Sequence, residues 1–352
     1  MKKIILSLVM VFVLIAAAGC SLKSGDTIKF TSLPQPVYTQ GYEVEQFKDE
    51  VKVSVNDVVF SLKNAPEGVI ISGLDFNNVG SHTLVVVYNS VSVTFDYEVV
   101  AAANTTKVAK ADELENALKA KAAVIELTDD ITSDVRFVID YSVTIYGNGN
   151  SIVVTESEDY SRAIYIYNVD NTNVSLYDLR IAHDDEVGKE TRGISLADCE
   201  NLVLTIDNCS IYNERYYALN LAGSNKNVTV NMKNGSTAGG YCAINVWGET
   251  NVINVMDSTL LGENIHVYHE SNSFATIVAN TDSHKFNFKN VTVKASSLKG
   301  NTETLVQITA NNNVFNFDGC TFEYAEVGGV QCPFAYNGGS GNEIYINGEL
   351  NK

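Results

Sequence analysis

One short phrase recurs eight times between residues 142 and 348: VTIYG at 143, VSLYD at 174, LTIDN at 204, VNMKN at 230, INVMD at 253, FNFKN at 286, FNFDG at 315 and IYING at 344. Each copy reads apolar, polar, apolar, any residue, then Asn, Asp or Gly, and the copies are 31, 30, 26, 23, 33, 29 and 29 residues apart. A unit this short cannot bury its own apolar face, so a fixed-order repeat implies a solenoid in which each unit is covered by its neighbours. About ten residues before most copies lies a second alternating strand: AIYIY at 163, GISLA at 193, ALNLA at 218, AINVW at 243, LVQIT at 305, PFAYN at 333 and, more loosely, ATIVA at 275. The gap between the two strands is too short for a crossover helix. Strands joined only by turns form flat coils stacked about 4.8 Å apart, which is a β-helix. Its inward positions (Ile164, Ile166, Val174, Leu176, Leu204, Ile206, Ile253, Val255, Phe286, Phe288, Phe315 and Phe317) would stack like on like.

The first coils, AVIELTDDI (123–131) and VRFVIDYSVTIYGNGNSI (135–152), follow a short amphipathic segment, KADELENALKA (110–120). Leu114, Ala117 and Leu118 share one helical face there, suited to capping the open end of a solenoid core. On these residues the stretch resembles the right-handed parallel β-helix of the pectate-lyase-like superfamily. The resemblance implies a fold. It does not imply an activity, because such folds carry lyases, hydrolases, adhesins and spacers alike.

Residues 1–20 combine Lys2 and Lys3 with an apolar run from Ile4 to Ala18 and end in Ala17-Ala18-Gly19-Cys20. The run is too short to span a membrane and resembles a bacterial lipoprotein signal with its lipobox. That resemblance implies a lipidated Cys20, with two or three acyl chains anchoring the protein to a membrane at about 0.8 kcal/mol per buried CH₂. Residues 21–26 would be a tether. Between 27 and 100, VKVSV (51–55), VVFSL (58–62), GVIISGLDFNNVGSHTLVVVY (68–88) and VSVTFDYEVV (91–100) read as strands separated by turns such as Val55-Asn56-Asp57. Gly73-Leu74-Asp75-Phe76 with Val79-Gly80 resembles the bacterial immunoglobulin-like domains. Residues 101–109, rich in small and polar side chains, read as a linker. The expected architecture is therefore all-β: an Ig-like β-sandwich, then a right-handed parallel β-helix of about eight coils over 110–352 with an N-terminal capping helix.

The net charge of −18 leaves no basic stripe to neutralise phosphates and excludes nucleic acid as a partner. Cys199, Cys209, Cys242, Cys320 and Cys332 contain no CxxC pair. Cys209 and Cys320 share one place in the repeat with Leu179 and Val291, so they read as small buried hydrophobes. Cys242 and Cys332 likewise both open second strands, and three to four coils separate each pair, beyond the roughly 7 Å limit for a disulfide. The Asn, Asp and Gly ending each phrase (Asp178, Asn208, Asn234, Asp257, Asn290, Gly319, Gly348) read as turn formers. Asn231, Asn254, Asn287 and Asn316 read as an amide ladder between coils.

Any chemistry should lie in the loops, which vary in length while the strands hold register. Asp184, Asp185 and Glu186 offer oxygen ligands for Ca²⁺, and Lys189, Arg192 or Arg215 offer the base or charge clamp of a β-eliminating lyase. Asp184 or Asp185 with Glu214 offers the carboxyl pair of a glycosidase, which requires a separation of about 5–9 Å. No run matches a known lyase or glycosidase motif. A binding module is the competing class. The outward positions of the second strands read Tyr165, Ser195, Asn220, Asn245 and Gln307, with Tyr167 and Trp247 two residues further on. Sugars favour such surfaces, since C–H faces stack on rings while amides bond hydroxyls. The expectation is a lipid-anchored, extracytoplasmic bacterial surface protein, binding carbohydrate or a surface protein, with no resident cofactor although Ca²⁺ is possible. A polysaccharide lyase or glycosidase is the alternative, and a structural spacer the second.

Overall fold

The structure is a computed structural model that describes residues 26–351 except 33, 35, 36, 101–104, 159, 184–189, 265–273, 298–302, 325, 328, 329 and 332. The chain forms two compact units, residues 1–104 and 105–352. It is all-β, 7% helical.

In the first unit two sheets face each other across an apolar core. Ile28–Ser32, Lys52–Val55 and Val58–Ser61 form an antiparallel three-stranded sheet. Val37–Thr39, Val91–Val100, Gly80–Tyr88 and Val69–Ser72 form the other, in that order. The tight turn at Asn56 and Asp57 has φ of 49° and 66°, the left-handed pair that joins two strands without splaying them. Tyr38, Phe47, Phe76 and Tyr97 pack their rings together at centroid distances of 5.0–6.3 Å. The Tyr97 hydroxyl fixes the Gly73–Asp75 turn, accepting from the Asp75 N–H (2.8 Å) and donating to the Gly73 carbonyl (3.0 Å). A helix, Val44–Glu50, brings Phe47 to this core; its seven residues carried no helical period long enough to stand out from the strand-rich sequence around them.

The second unit is a parallel β-solenoid of the right-handed type. Its first face is a single sheet of eleven strands in which all eight phrase copies pair as consecutive rungs, in register and without a slip. The other two faces share a fourteen-stranded sheet, because Ser210–Leu221 and Thr237–Val246 run around the corner between them. The full turns number about six rather than eight coils. At both ends the strands off the first face shrink to three residues, Ile131–Ser133 and Phe137–Ile139 at one end, Thr321–Glu323 and Ala335–Asn337 at the other. Residues 105–108, read as the end of a linker, are a strand parallel to Val124–Leu127. The alternation in TTKV was too short to register against the polar residues before it.

The period of two decides the core. All twelve inward residues named from sequence are buried in one continuous cluster. Phe286 stacks on Phe315 at 4.2 Å and Phe288 on Phe317 at 4.7 Å, so parallel register places identical rings face on face. Fully burying such a side chain stabilises by about 1.5–3 kcal/mol. The helix Ala111–Lys119 closes the first coil by burying Leu114, Ala117 and Leu118 in the same cluster.

Polar columns bind the coils outside the core. Asp178, Asn208, Asn234, Asp257, Asn290, Gly319 and Gly348 all have φ between 48° and 79°, which Asn, Asp and Gly tolerate best. Their side chains also reach across coils, as in Asn208 Nδ2 to Asp178 Oδ1 (3.0 Å) and Asn290 Nδ2 to Asp257 Oδ1 (2.9 Å). A second column stands just before the first-face strands. There Asn251, His284, Asn313 and Asn342 each accept the backbone N–H of the preceding coil: Val228 to Asn251 Oδ1 (2.9 Å), Asn251 to His284 Nδ1 (3.1 Å), His284 to Asn313 Oδ1 (2.9 Å) and Asn313 to Asn342 Oδ1 (2.8 Å). A histidine stands where an asparagine would otherwise be.

Candidate binding face

The third face is built from Arg162–Tyr167, Arg192–Ala197, the ends of Ser210–Leu221 and Thr237–Val246, Phe274–Ala279 and Glu303–Ile308. Register makes every position on it a column. The middle outward column holds Ser195, Asn220 and Asn245, aligned with Tyr165. All three are buried, and their amides bond along the stack: Asn220 Nδ2 to Ser195 Oγ (3.1 Å), Asn245 Nδ2 to Asn220 Oδ1 (2.7 Å) and Asn280 Nδ2 to Asn245 Oδ1 (2.7 Å). Asn220 and Asn245 were expected to contact a ligand. Their burial and mutual hydrogen bonding make them structural instead: period two reports which way a side chain leaves the sheet, not what then covers it.

The next column outward differs. Tyr167 pairs with Ala197, and the register carries on through Ala222 to Trp247, whose N–H bonds the Leu221 carbonyl at 2.8 Å. Tyr167 and Trp247 are 40% and 45% exposed, with two alanines between them. Three strand spacings, about 14 Å, separate the rings. Tyr167 is held by stacking on Tyr165 at 5.0 Å, and the Trp247 carbonyl accepts from Asn251 Nδ2 at 2.9 Å. The result is a shallow trough with an aromatic wall at each end and methyl groups for a floor.

At the other margin of the face, where its strands begin, Arg162, Arg192, Tyr217 and Cys242 stand in one column. The Arg162 guanidinium lies 4.1 Å from the centre of the Tyr165 ring and donates through Nε and Nη2 to the Tyr160 carbonyl. Arg192 sits among Tyr216, Tyr160 and Tyr217 at 5.2, 5.4 and 5.9 Å and donates through Nη1 to the Glu190 carbonyl. Burial, then the charge of Arg162, lowers the pKa of Arg192. Burial pushes the Tyr217 hydroxyl well above its usual range. The sequence offers Arg192 as the base or charge clamp of a lyase and Tyr165 as a ligand contact, but does not single out Arg162 or Tyr160. The signal was one residue upstream of the repeated strand, where SRAI and TRGI carry Arg in consecutive coils.

Of the catalytic candidates, Asp184, Asp185, Glu186 and Lys189 lie outside the described residues, as does Cys20. Glu214 and Arg215 lie within the irregularity between Asn213 and Tyr217, where one strand rounds the corner, and the Arg215 N–H is held by Asn213 Oδ1 at 3.0 Å. Among the described residues no three His, Cys, Asp or Glu side chains converge on a metal-sized site. Cys199, Cys209 and Cys242 are buried thiols, that of Cys209 pushed up to about 12 by burial.

No protein-family model matches the chain, and no curated protein does. Among solved structures, a chain described as "L. reuters 100-23 SRRP" is similar over 68% of this chain and 98% of its own, at 16% identity and a TM-score of 0.35. That score is too low to bear on function.

Proposed function

We propose that this protein is a lipid-anchored bacterial surface module, an Ig-like domain followed by a β-helix, whose third face binds carbohydrate. One observation carries the binding reading: Tyr167 and Trp247 expose their rings at the ends of an alanine-floored trough. Aromatic rings at fixed spacing on a rigid sheet stack on separated sugars of one chain without ordering anything on binding, which keeps the entropic cost low. The lipobox-like Ala17-Ala18-Gly19-Cys20 supports the anchor, and the two sheets around Tyr97 support the Ig-like reading.

Retention on an array of neutral and acidic oligosaccharides tests the trough. Trp247→Ala and Tyr167→Ala should each weaken retention by about 0.5–1.5 kcal/mol, while Asp184→Ala, Asp185→Ala, Glu186→Ala combined should leave it unchanged. Glycan cleavage by wild type that vanishes in the triple variant would replace this reading with an enzymatic one, and no retention at all would leave a spacer. Separately, Cys20→Ala should move the protein from the membrane fraction to the soluble one. A variant that still pellets after a carbonate wash would sink the lipoprotein reading.

A further inference from the structure

The arginine column does something the trough does not. Arg162 and Arg192 are Cα partners on adjacent coils, about one strand spacing apart. Both are half-buried, and among the described residues neither has a carboxylate within ion-pair reach. Among the described residues Glu156 and Glu158 pair with Arg136 at 3.4 Å, while Glu190 accepts from Arg192 through its carbonyl and its carboxylate adds only a minor attraction, weaker than the effects of burial, of the Arg162 charge and of the two tyrosines. The Nε of Arg192 is buried and makes no hydrogen bond. Two like charges held together against tyrosine rings, in a protein of net charge −18, are an arrangement that folding alone does not favour. Tyrosine faces hold guanidinium planes in fixed orientation, and a fixed guanidinium fork matches a planar or tetrahedral oxyanion through two parallel N–H donors. An anion seated between the two would cancel their repulsion.

We propose that Arg162 and Arg192 together receive one oxyanion, a carboxylate or a sulfate ester, borne by a sugar of the glycan bound on the third face. This rests on the carbohydrate reading above and narrows it to acidic glycans. The exposed Tyr160 ring, 54% accessible and 5.4 Å from Arg192, is positioned to stack on the sugar that carries the charge. The protein's overall negative charge repels polyanions at a distance, so recognition falls to this one local site and weakens with salt.

Titration of the full chain with glucuronate, glucose 6-sulfate and neutral glucose, followed by NMR of the arginine Nε–H resonances, tests it. Glucuronate or the sulfate ester should shift the Arg162 and Arg192 signals while glucose does not, and the stronger of the two identifies the oxyanion. Arg192→Gln and Arg162→Gln should each weaken that binding at least tenfold. Arg192→Lys, which keeps charge but loses the fork, should fall between. Unchanged melting temperatures keep a folding defect from mimicking the loss. Equal responses to glucose and the acidic sugars, or acidic-sugar binding untouched in both Gln variants, would overturn the proposal. Array retention through Trp247 confined to neutral glycans and indifferent to both Gln variants would overturn it while the carbohydrate reading stands. Acidic monosaccharides bound at the pair with no oligosaccharide retained would support the pair and sink the trough.

Discussion

The first and third faces of the solenoid solve one problem in two ways. On the first face the outward column carries Asn231, Asn254, Asn287 and Asn316 in four consecutive coils, joined by three amide bonds of 2.8–3.0 Å and each half-open to water. Across the third face the equivalent ladder, Ser195 to Asn280, is largely covered, while the columns beside it change from coil to coil. Where consecutive coils repeat the same residue, the column serves cohesion. Where a ladder in the middle already supplies cohesion, its neighbours are released to vary, and there the rings and arginines collect.

If cohesion rests first on the shared core, the largest effect should come from Ile206→Asp. An unpaired buried carboxylate costs several kcal/mol against a total stability of roughly 5–15 kcal/mol, so thermal unfolding should shift far downward. Thr205→Asp, one residue along and pointing out, should be mild. Equal melting temperatures would refute the register. The two ladders should separate next. Asn220→Ala strands the buried Asn245 Nδ2 without its acceptor and should cost about 2–3 kcal/mol, whereas Asn254→Ala leaves partners that water can reach and should cost about 1 kcal/mol. Urea unfolding of the two variants measures the gap, and equal costs would erase the distinction between the faces.

The smallest expected effect at neutral pH lies at His284. Its Nδ1 must stay unprotonated to accept the Asn251 N–H, and burial lowers its pKa from 6.5 to about 4. The unfolded chain therefore takes up the proton first. Stability is fully present above about pH 6.5 and is lost as pH falls toward 4, by on the order of 3 kcal/mol. His284→Asn restores the amide found in the neighbouring coils. It should change little at pH 7 and abolish this acid-dependent loss, read as melting temperature against pH.

The repeat was legible because period two and a left-handed turn residue are both written locally: Ile206 and Asn208 announce their roles within five residues. The burial of Asn220 and Asn245 escapes a sequence reading because it depends on their neighbours in the coils on either side, Ser195 and Asn280 among them. Arg162 and Arg192 were not paired in advance because the register aligning them was anchored on the apolar phrase, and Arg precedes it. His284 reads as an ordinary histidine until its column is aligned with Asn251, Asn313 and Asn342.

The left-handed corner after each first-face strand also determines how such a chain can change length. That corner takes two residues in most coils, such as 178–179, 208–209 and 319–320. One residue added there would turn every later side chain of its rung inside out, because in and out alternate. The next corner is different: Ser210–Leu221 rounds it as one strand, while nine residues, 265 to 273, separate the strand Thr259–Asn264 from the strand Phe274–Ala279. That corner, beside the arginine column, shows the widest range, so the molecule can alter what it presents there by insertions and deletions that leave its spine untouched.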